Sequence, residues 1–257
     1  MLAPLSFGLK LRCDAYDLLV DNRDHGFKGE SRIMMKFLSP DSRGEWRLAV
    51  CLALIAGYVD AYGIRVFGAY VSFMSGNTTQ TGSLSGQAKF AAALPSAVAI
   101  VFFVAGAFVG TWLTHSALRH SRRLLLGAVA VSLAAIIGLT QLDSLDAEVV
   151  IATLAFAMGM MNTAQSKVGT ESVSLTFVTG DLHRMGSHLA LAVKRAPLPD
   201  AYGSGDTHLR RAYLLASVWA GFLIGAMLAG AASLYFGVWV LLPPALILLA
   251  LSLIGSA

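Results

Sequence analysis

VSFMSGNTTQTG, Val71 to Gly82, places two glycines and seven hydroxyl or amide side chains between apolar segments long enough to cross a bilayer. A related stretch, LTFVTGDLHRMG, runs from Leu175 to Gly186. A shift of 104 residues lays Ser75, Gly76 and Asn77 on Thr179, Gly180 and Asp181, and Gly82 on Gly186. The apolar segments before them align at a shift of 102, with AGYVDA (56–61) beside MGMMNT (158–163), so that Asp60 meets Asn162. Farther on, a shift of 115 sets Ala105, Gly106 and Gly110 on Ala220, Gly221 and Gly225. The chain therefore reads as two copies of one unit, over 46–142 and 147–256.

The hydrophobic fraction is 56%, charged residues make up 13% and the mean hydropathy is +0.67. A soluble domain of this size carries about 25% charge, so the composition is that of an all-α, polytopic membrane protein whose first partner is the lipid bilayer. Charge is concentrated at the front: residues 1–50 hold 15 of the 34 charged side chains, eight basic and seven acidic. Residues 1–45 show no sustained apolar period and are expected to form a disordered cytoplasmic extension. Lys10, Arg12 and Asp14 break the apolar runs that a signal peptide would need. Met34 and Met35 stand just before a natural lead into the first span, so a true start near Met34 is an equal reading. Cys13 and Cys51 imply neither a disulfide nor a metal site.

Six segments reach the roughly 20 apolar residues that a hydrocarbon core of about 30 Å requires. They lie near 48–68, 92–114, 124–142, 147–165, 212–235 and 238–256. The 115–123 loop carries three arginines, and the 166–211 connection carries Lys167, Arg184, Lys194, Arg195, Arg210 and Arg211, whereas 143–148 is purely acidic. With both termini cytoplasmic, six spans put both basic loops inside and the acidic loop outside. Counting the SGN and TGD segments as two further full spans would put the triple-arginine loop outside. They are therefore expected to be broken or re-entrant, and three spans per copy makes an inverted repeat. Such polar stretches are tolerated at membrane depth where they are buried in protein or line a water-filled cavity. Each is expected to start a short helix just after its glycine, N-capped by Ser75 or Thr179, with free N–H groups suited to an anion or a carbonyl oxygen.

The runs GYVDAYG, SGNTTQTG, MGMMNTA and VTGDLHRMG together resemble the YoaK-type family of bacterial inner-membrane proteins, a domain of unknown function, over residues 46–256. The resemblance implies a multi-pass plasma-membrane protein, with signature positions at Gly57, Asp60, Gly76, Asn77, Gly159, Asn162, Thr179 and Gly180. Ser75 departs from the family's usual threonine but keeps the hydroxyl. The cluster of Asp181, His183 and Arg184 is more charged than the family pattern.

The candidate pathway for a solute or ion comprises Asp60, Asn162, Ser75, Gly76, Asn77, Thr78, Thr179, Gly180, Asp181 and Arg184. Asp60 is the one acidic residue well inside a span, where a charge costs about 2.5–3.5 kcal/mol. That cost suggests a coupling site for a proton or cation. The competing account is a structural carboxyl bonded to a neighbouring helix near Arg65. Asp181, Arg184 and His188 share a helix face, either as a gate or as a solvated surface. Gly106, Gly110, Gly221 and Gly225 form small-xxx-small patterns that pack the two copies together or build the face of a homodimer. Pro243 and Pro244 are expected to bend the last span.

The leading expectation is a secondary transporter or permease for an unidentified small solute, with no cofactor, no metal and no nucleic-acid partner. A non-catalytic scaffold or sensor is the alternative. An intramembrane aspartyl enzyme using Asp60 and Asp181 fits less well, because the partner of Asp60 is Asn162. With no GxxxxGK[ST] run, an ATP-driven pump within this chain is excluded. The topology is tested by single cysteines at Ser121 and Ser144 in a cysteine-free background. A membrane-impermeant reagent should label only Ser144 in intact cells, and labelling of Ser121 would refute six spans with cytoplasmic termini.

Overall fold

The computed structural model describes residues 42–116, 120–142, 146–165, 167–176, 178–201 and 205–254. The expected N-terminal extension through residue 41, and residues 143–145 of the acidic loop, lie outside the described residues. The elements in chain order are α1 (Ser42–Phe67), α2 (Met74–Gly86), α3 (Phe90–His115), α4 (Ser121–Thr140) and α5 (Ala147–Ala164). A two-stranded hairpin follows, β1 (Lys167–Val168) and β2 (Glu171–Ser172), then α6 (Val178–Val193), α7 (His208–Ala232), a 3-10 turn (Gly237–Leu241) and α8 (Leu242–Ile254).

Six of these helical segments are long and apolar enough to cross a membrane: Gly44–Phe67, Phe90–His115, Ser121–Thr140, Ala147–Ala164, His208–Ala232 and Gly237–Ile254. The spans read from hydropathy agree with them to within four residues at each end. That agreement is expected, because span length and composition are local properties. The protein is an all-α polytopic membrane protein.

Pro243 and Pro244 stand in the first turn of α8, where proline's missing N–H would have had no partner in the helix. The last span changes there from a 3-10 turn, Gly237–Leu241, to an α-helix.

Two close helix contacts organise the bundle. A Cβ on Gly106 of α3 would lie 2.0 Å from the Phe156 carbonyl oxygen of α5, and one on Gly159 of α5 would lie 2.2 Å from that of Phe103. On the other side, a Cβ on Gly225 of α7 would lie 1.9 Å from the Leu54 carbonyl oxygen of α1, and one on Gly57 would lie 2.0 Å from that of Phe222. Phe156 and Leu54 are 102 residues apart, as are Gly159 and Gly57, while Gly225 and Gly106 are 119 apart, as are Phe222 and Phe103. The same contact is thus made twice, each time between one helix of the first half and one of the second. Gly106 corresponds to Gly225 at a shift of 119, one helical turn beyond the shift of 115 that the glycine spacing alone suggests. Gly110 packs on Met160 and Thr163, and Gly221 on Val50, so all four glycines make their close contacts within the chain.

The main core joins Leu52, Ile55 and Val59 of α1, Leu125 and Leu133 of α4, Leu154 and Met158 of α5, and Leu248 of α8. A second cluster sets Ala49 and Ala53 of α1 against Leu214, Leu215 and Val218 of α7, with Val168 of β1 and Val173 just after β2. The hairpin turn needs Gly169, whose φ is 60°. Its N–H donates to Glu45 Oε2 at 3.0 Å, which ties the hairpin to the start of α1.

Glycine at the contact between α1 and α7 is a steric requirement. Gly225→Ala should lower stability by about 1–3 kcal/mol, the usual range for overpacking. Gly230→Ala, on the same helix with nothing within 4 Å of the added Cβ, should be neutral or stabilise by about 0.5–1 kcal/mol through helix propensity. Thermal unfolding of the purified protein in detergent distinguishes the two, and equal midpoints would refute the close approach.

Candidate functional site

The SGN segment is held to the first span by Asp60. Asp60 is 3% exposed, deep in α1. Its Oδ1 accepts the backbone N–H groups of Val71 at 2.8 Å and Ser72 at 2.7 Å, and its Oδ2 accepts the Ser72 hydroxyl at 2.6 Å. A carboxylate accepts all three without supplying a proton of its own. Hydrogen bonds to a charged acceptor contribute about 1.5–3 kcal/mol each. Together they offset the roughly 2.5–3.5 kcal/mol cost of placing the group at a helix centre, so burial alone does not demand a transport role. Arg65 is exposed, and the groups that engage Asp60 come from the loop before α2.

The helix of the SGN segment starts earlier than its serine suggests. It begins at Met74, after Phe73, which offers no side-chain cap. Its counterpart α6 begins at Val178, also 104 residues on. Ser75 and Thr179 therefore stand inside the first turn and are exposed, and neither is an N-cap. Asp60 accepts the N–H groups of Val71 and Ser72, in the loop just ahead of α2.

Asn77, fully buried, pins the other end of the same loop. Its Oδ1 accepts the Tyr70 N–H at 3.0 Å and its Nδ2 donates to the Tyr70 carbonyl at 2.6 Å. Gly76 makes room for the Phe73 ring, which a Cβ there would meet at 2.5 Å. Thr78, exposed, bonds back to the Met74 carbonyl at 2.8 Å.

The second half repeats both ties. Thr176, 104 residues after Ser72, donates its hydroxyl to Asn162 Oδ1 at 3.4 Å. Ser174, 104 residues after Tyr70, donates its N–H to Asp181 Oδ1 at 3.3 Å. Each broken segment is thus tethered by one side chain from the preceding span and one from its own helix. The charge has moved between the two positions: the span residue is acidic in the first half and the helix residue in the second.

Asp181 is 1% exposed and pairs with Arg184, as their spacing of three on α6 predicts. Burial pushes its carboxyl above the ordinary range, while Arg184 and the Ser174 N–H pull it back. Gly180 lies between the exposed Thr179 and this buried carboxyl. A cleft lined by Phe108, Thr111, Trp112 and His115 involves none of the candidate residues.

A polar cluster in the 166–211 connection escapes a reading of the sequence. Arg211, 5% exposed at the start of α7, donates to Asp206 at 2.8 Å, Asp200 at 3.0 Å, Glu171 at 3.4 Å and the Thr170 hydroxyl at 2.7 Å. Arg211 holds the Asp200 carboxyl below its usual range. On the other side of Glu171 sits His188 of α6, with Nε2 at 3.2 Å from Oε2 and Nδ1 at 2.9 Å from His208 Nδ1, one imidazole donating to the other. Thr207 caps α7 by accepting the Arg210 N–H at 3.2 Å. The usable signals are the capping Thr207 and the two aspartates, Asp200 and Asp206, that precede the arginine pair. By the positive-inside rule those arginines count only as loop charge.

The chain is 29% identical over 142 residues to UPF0700 transmembrane protein RA0705 of Rhizobium meliloti (strain 1021), a match covering 55% of this chain and 60% of that protein. No solved structure matches. The family described as Protein of unknown function (DUF1275), of which YoaK-type proteins are members, matches residues 48–254, from the first span to the end of the last, and the chain belongs to that family.

Proposed function

We propose that the protein is a secondary transporter or permease for a small solute, seated in the bacterial plasma membrane with both termini cytoplasmic. The observation that supports this is the doubled tether, in which Asp60 with Asn77 and Asn162 with Asp181 each hold a polar segment against the preceding span. Three spans per half would turn the second half upside down, so that α2 lies toward the outer face and α6 toward the inner. In that arrangement Ser75, Thr78, Thr179, Asp181 and Arg184 border the pathway, while Asp60 and Asn162 position the segments. The bonding of Asp60 equally favours a scaffold or sensor with no solute. Asp60 and Asp181 hold different loops, which does not suit a shared catalytic pair.

The test uses the full chain in proteoliposomes with an entrapped pH dye. Amino acids, organic acids, amines and sugars are added in turn under an imposed pH gradient, with a thermal-shift screen of the same solutes in detergent. At least one solute should move the dye and raise the unfolding midpoint. Silence in both assays would overturn the transporter reading in favour of the scaffold.

Asp60 variants separate positioning from coupling. Asp60→Asn keeps an acceptor for the Val71 and Ser72 N–H groups and should cost about 1 kcal/mol, while Asp60→Leu orphans both donors at about 1–3 kcal/mol each. The Asn variant should fold and lose the pH dependence of flux. If it unfolds as readily as the Leu variant, the carboxyl serves structure alone.

A further inference from the structure

The surface of α6 divides into three stripes, each offset from the next by one residue. Asp181, Met185, His188 and Ala192 follow one another at i, i+4, i+7 and i+11, and face the protein: Asp181 bonds Ser174, Met185 packs on the cluster of α1 and α7, and His188 meets Glu171 and His208. Leu182, Gly186, Leu189 and Val193 form the next stripe, all exposed, with Leu189 at 43% and Val193 at 85%. His183, Ser187, Ala190 and Lys194 form the third, also exposed. Leu191, 38% exposed, is the one large apolar side chain beyond the polar stripe.

The helix is therefore reversed relative to one on a soluble protein, since its buried face carries a carboxylate and an imidazole while an exposed flank is leucine and valine. It is not lipid-facing all round either, because a histidine, a serine and a lysine share the other exposed flank. A helix with protein on one side, an apolar flank on the second and a polar flank on the third matches the boundary between hydrocarbon and water. Lys194 and Arg195, both exposed, follow Val193 and supply the charge that anionic phospholipid headgroups attract. Met185 of α6 packs on the cluster that holds Leu214, Leu215 and Val218 of α7, so α6 is set against a helix long and apolar enough to span a membrane.

We propose that α6 is an interfacial helix, seated on phospholipid through Leu182, Leu189 and Val193, with His183 and Ser187 turned to water. The phospholipid surface is its partner. This inference does not depend on transport, because it concerns where the helix sits and not what passes it.

The experiment labels the full chain with a nitroxide at Leu189→Cys or, separately, at Ser187→Cys, with Cys13 and Cys51 replaced by alanine. The protein is held in nanodiscs of mixed phosphatidylcholine and phosphatidylglycerol. Relaxation by oxygen, which partitions into lipid, is compared with relaxation by a water-soluble nickel chelate. Oxygen should dominate at position 189 and nickel at position 187, so that the ratio inverts over two residues. Nickel dominance at both positions would put the helix in water, and oxygen dominance at both would bury it wholly in hydrocarbon. Low access of both reagents at position 189 would mean that protein, including a second copy, covers the face. Each of those three results overturns the proposal.

Discussion

A backbone N–H buried away from water must find a partner inside the protein, and the chain meets that constraint after its first span with one carboxylate. Where α1 ends and the SGN segment begins, helix bonding stops, and the amides of Val71 and Ser72 are left to find partners in a buried place. Asp60 receives both, together with the Ser72 hydroxyl. Other contacts of the segment add to that anchor. The loop is turned before α2 begins, Asn77 closes it from the far side, and Gly76 admits the Phe73 ring against the helix. A buried acidic residue in a span is easily taken for a functional group because of its cost. Three charge-assisted bonds offset that cost, and they give the side chain a positioning role whatever else it does.

The two halves solve this problem with different chemistry at the same places. The first uses a carboxylate from the span and an amide from the short helix, and the second uses an amide from the span and a carboxylate from the helix. The acidic member in the second half recruits Arg184, and α6 is further tied through His188 to Glu171 and His208. Only one half thus has charged and titratable groups along its short helix. The halves share a frame but not a chemistry, which is the asymmetry expected if α6 and α2 meet different surroundings.

Helix contact through glycine recurs in two helix pairs of the bundle. The α3 and α5 pair and the α1 and α7 pair each bring backbone against backbone, with carbonyl oxygens where a Cβ would otherwise stand. Each pair joins the two halves, so neither half buries its glycine face alone. In an apolar solvent, close packing of this kind replaces the hydrophobic effect that holds soluble helices together.

The sequence by itself determined the six spans, and motif spacing alone suggests the doubled unit that sets Asp60 opposite Asn162 and Asn77 opposite Asp181. Those are readable because span length, hydropathy and motif spacing are local. The i, i+3 pair of Asp181 and Arg184 was equally legible. What only the tertiary structure decided depends on contacts across long separations. The partners of Asp60 lie on a loop that folds back over it, and the glycine register is set by the carbonyls of other helices, which moved the shift from 115 to 119. The start of α2 and α6 ahead of their hydroxyl residues depends on how the preceding loop is held. Arg211 and Glu171 are 40 residues apart and meet only because the hairpin returns against α7. No periodicity in the 166–211 connection encodes that meeting, because its energy resides in bonds between elements that are distant in the chain and adjacent only in the fold.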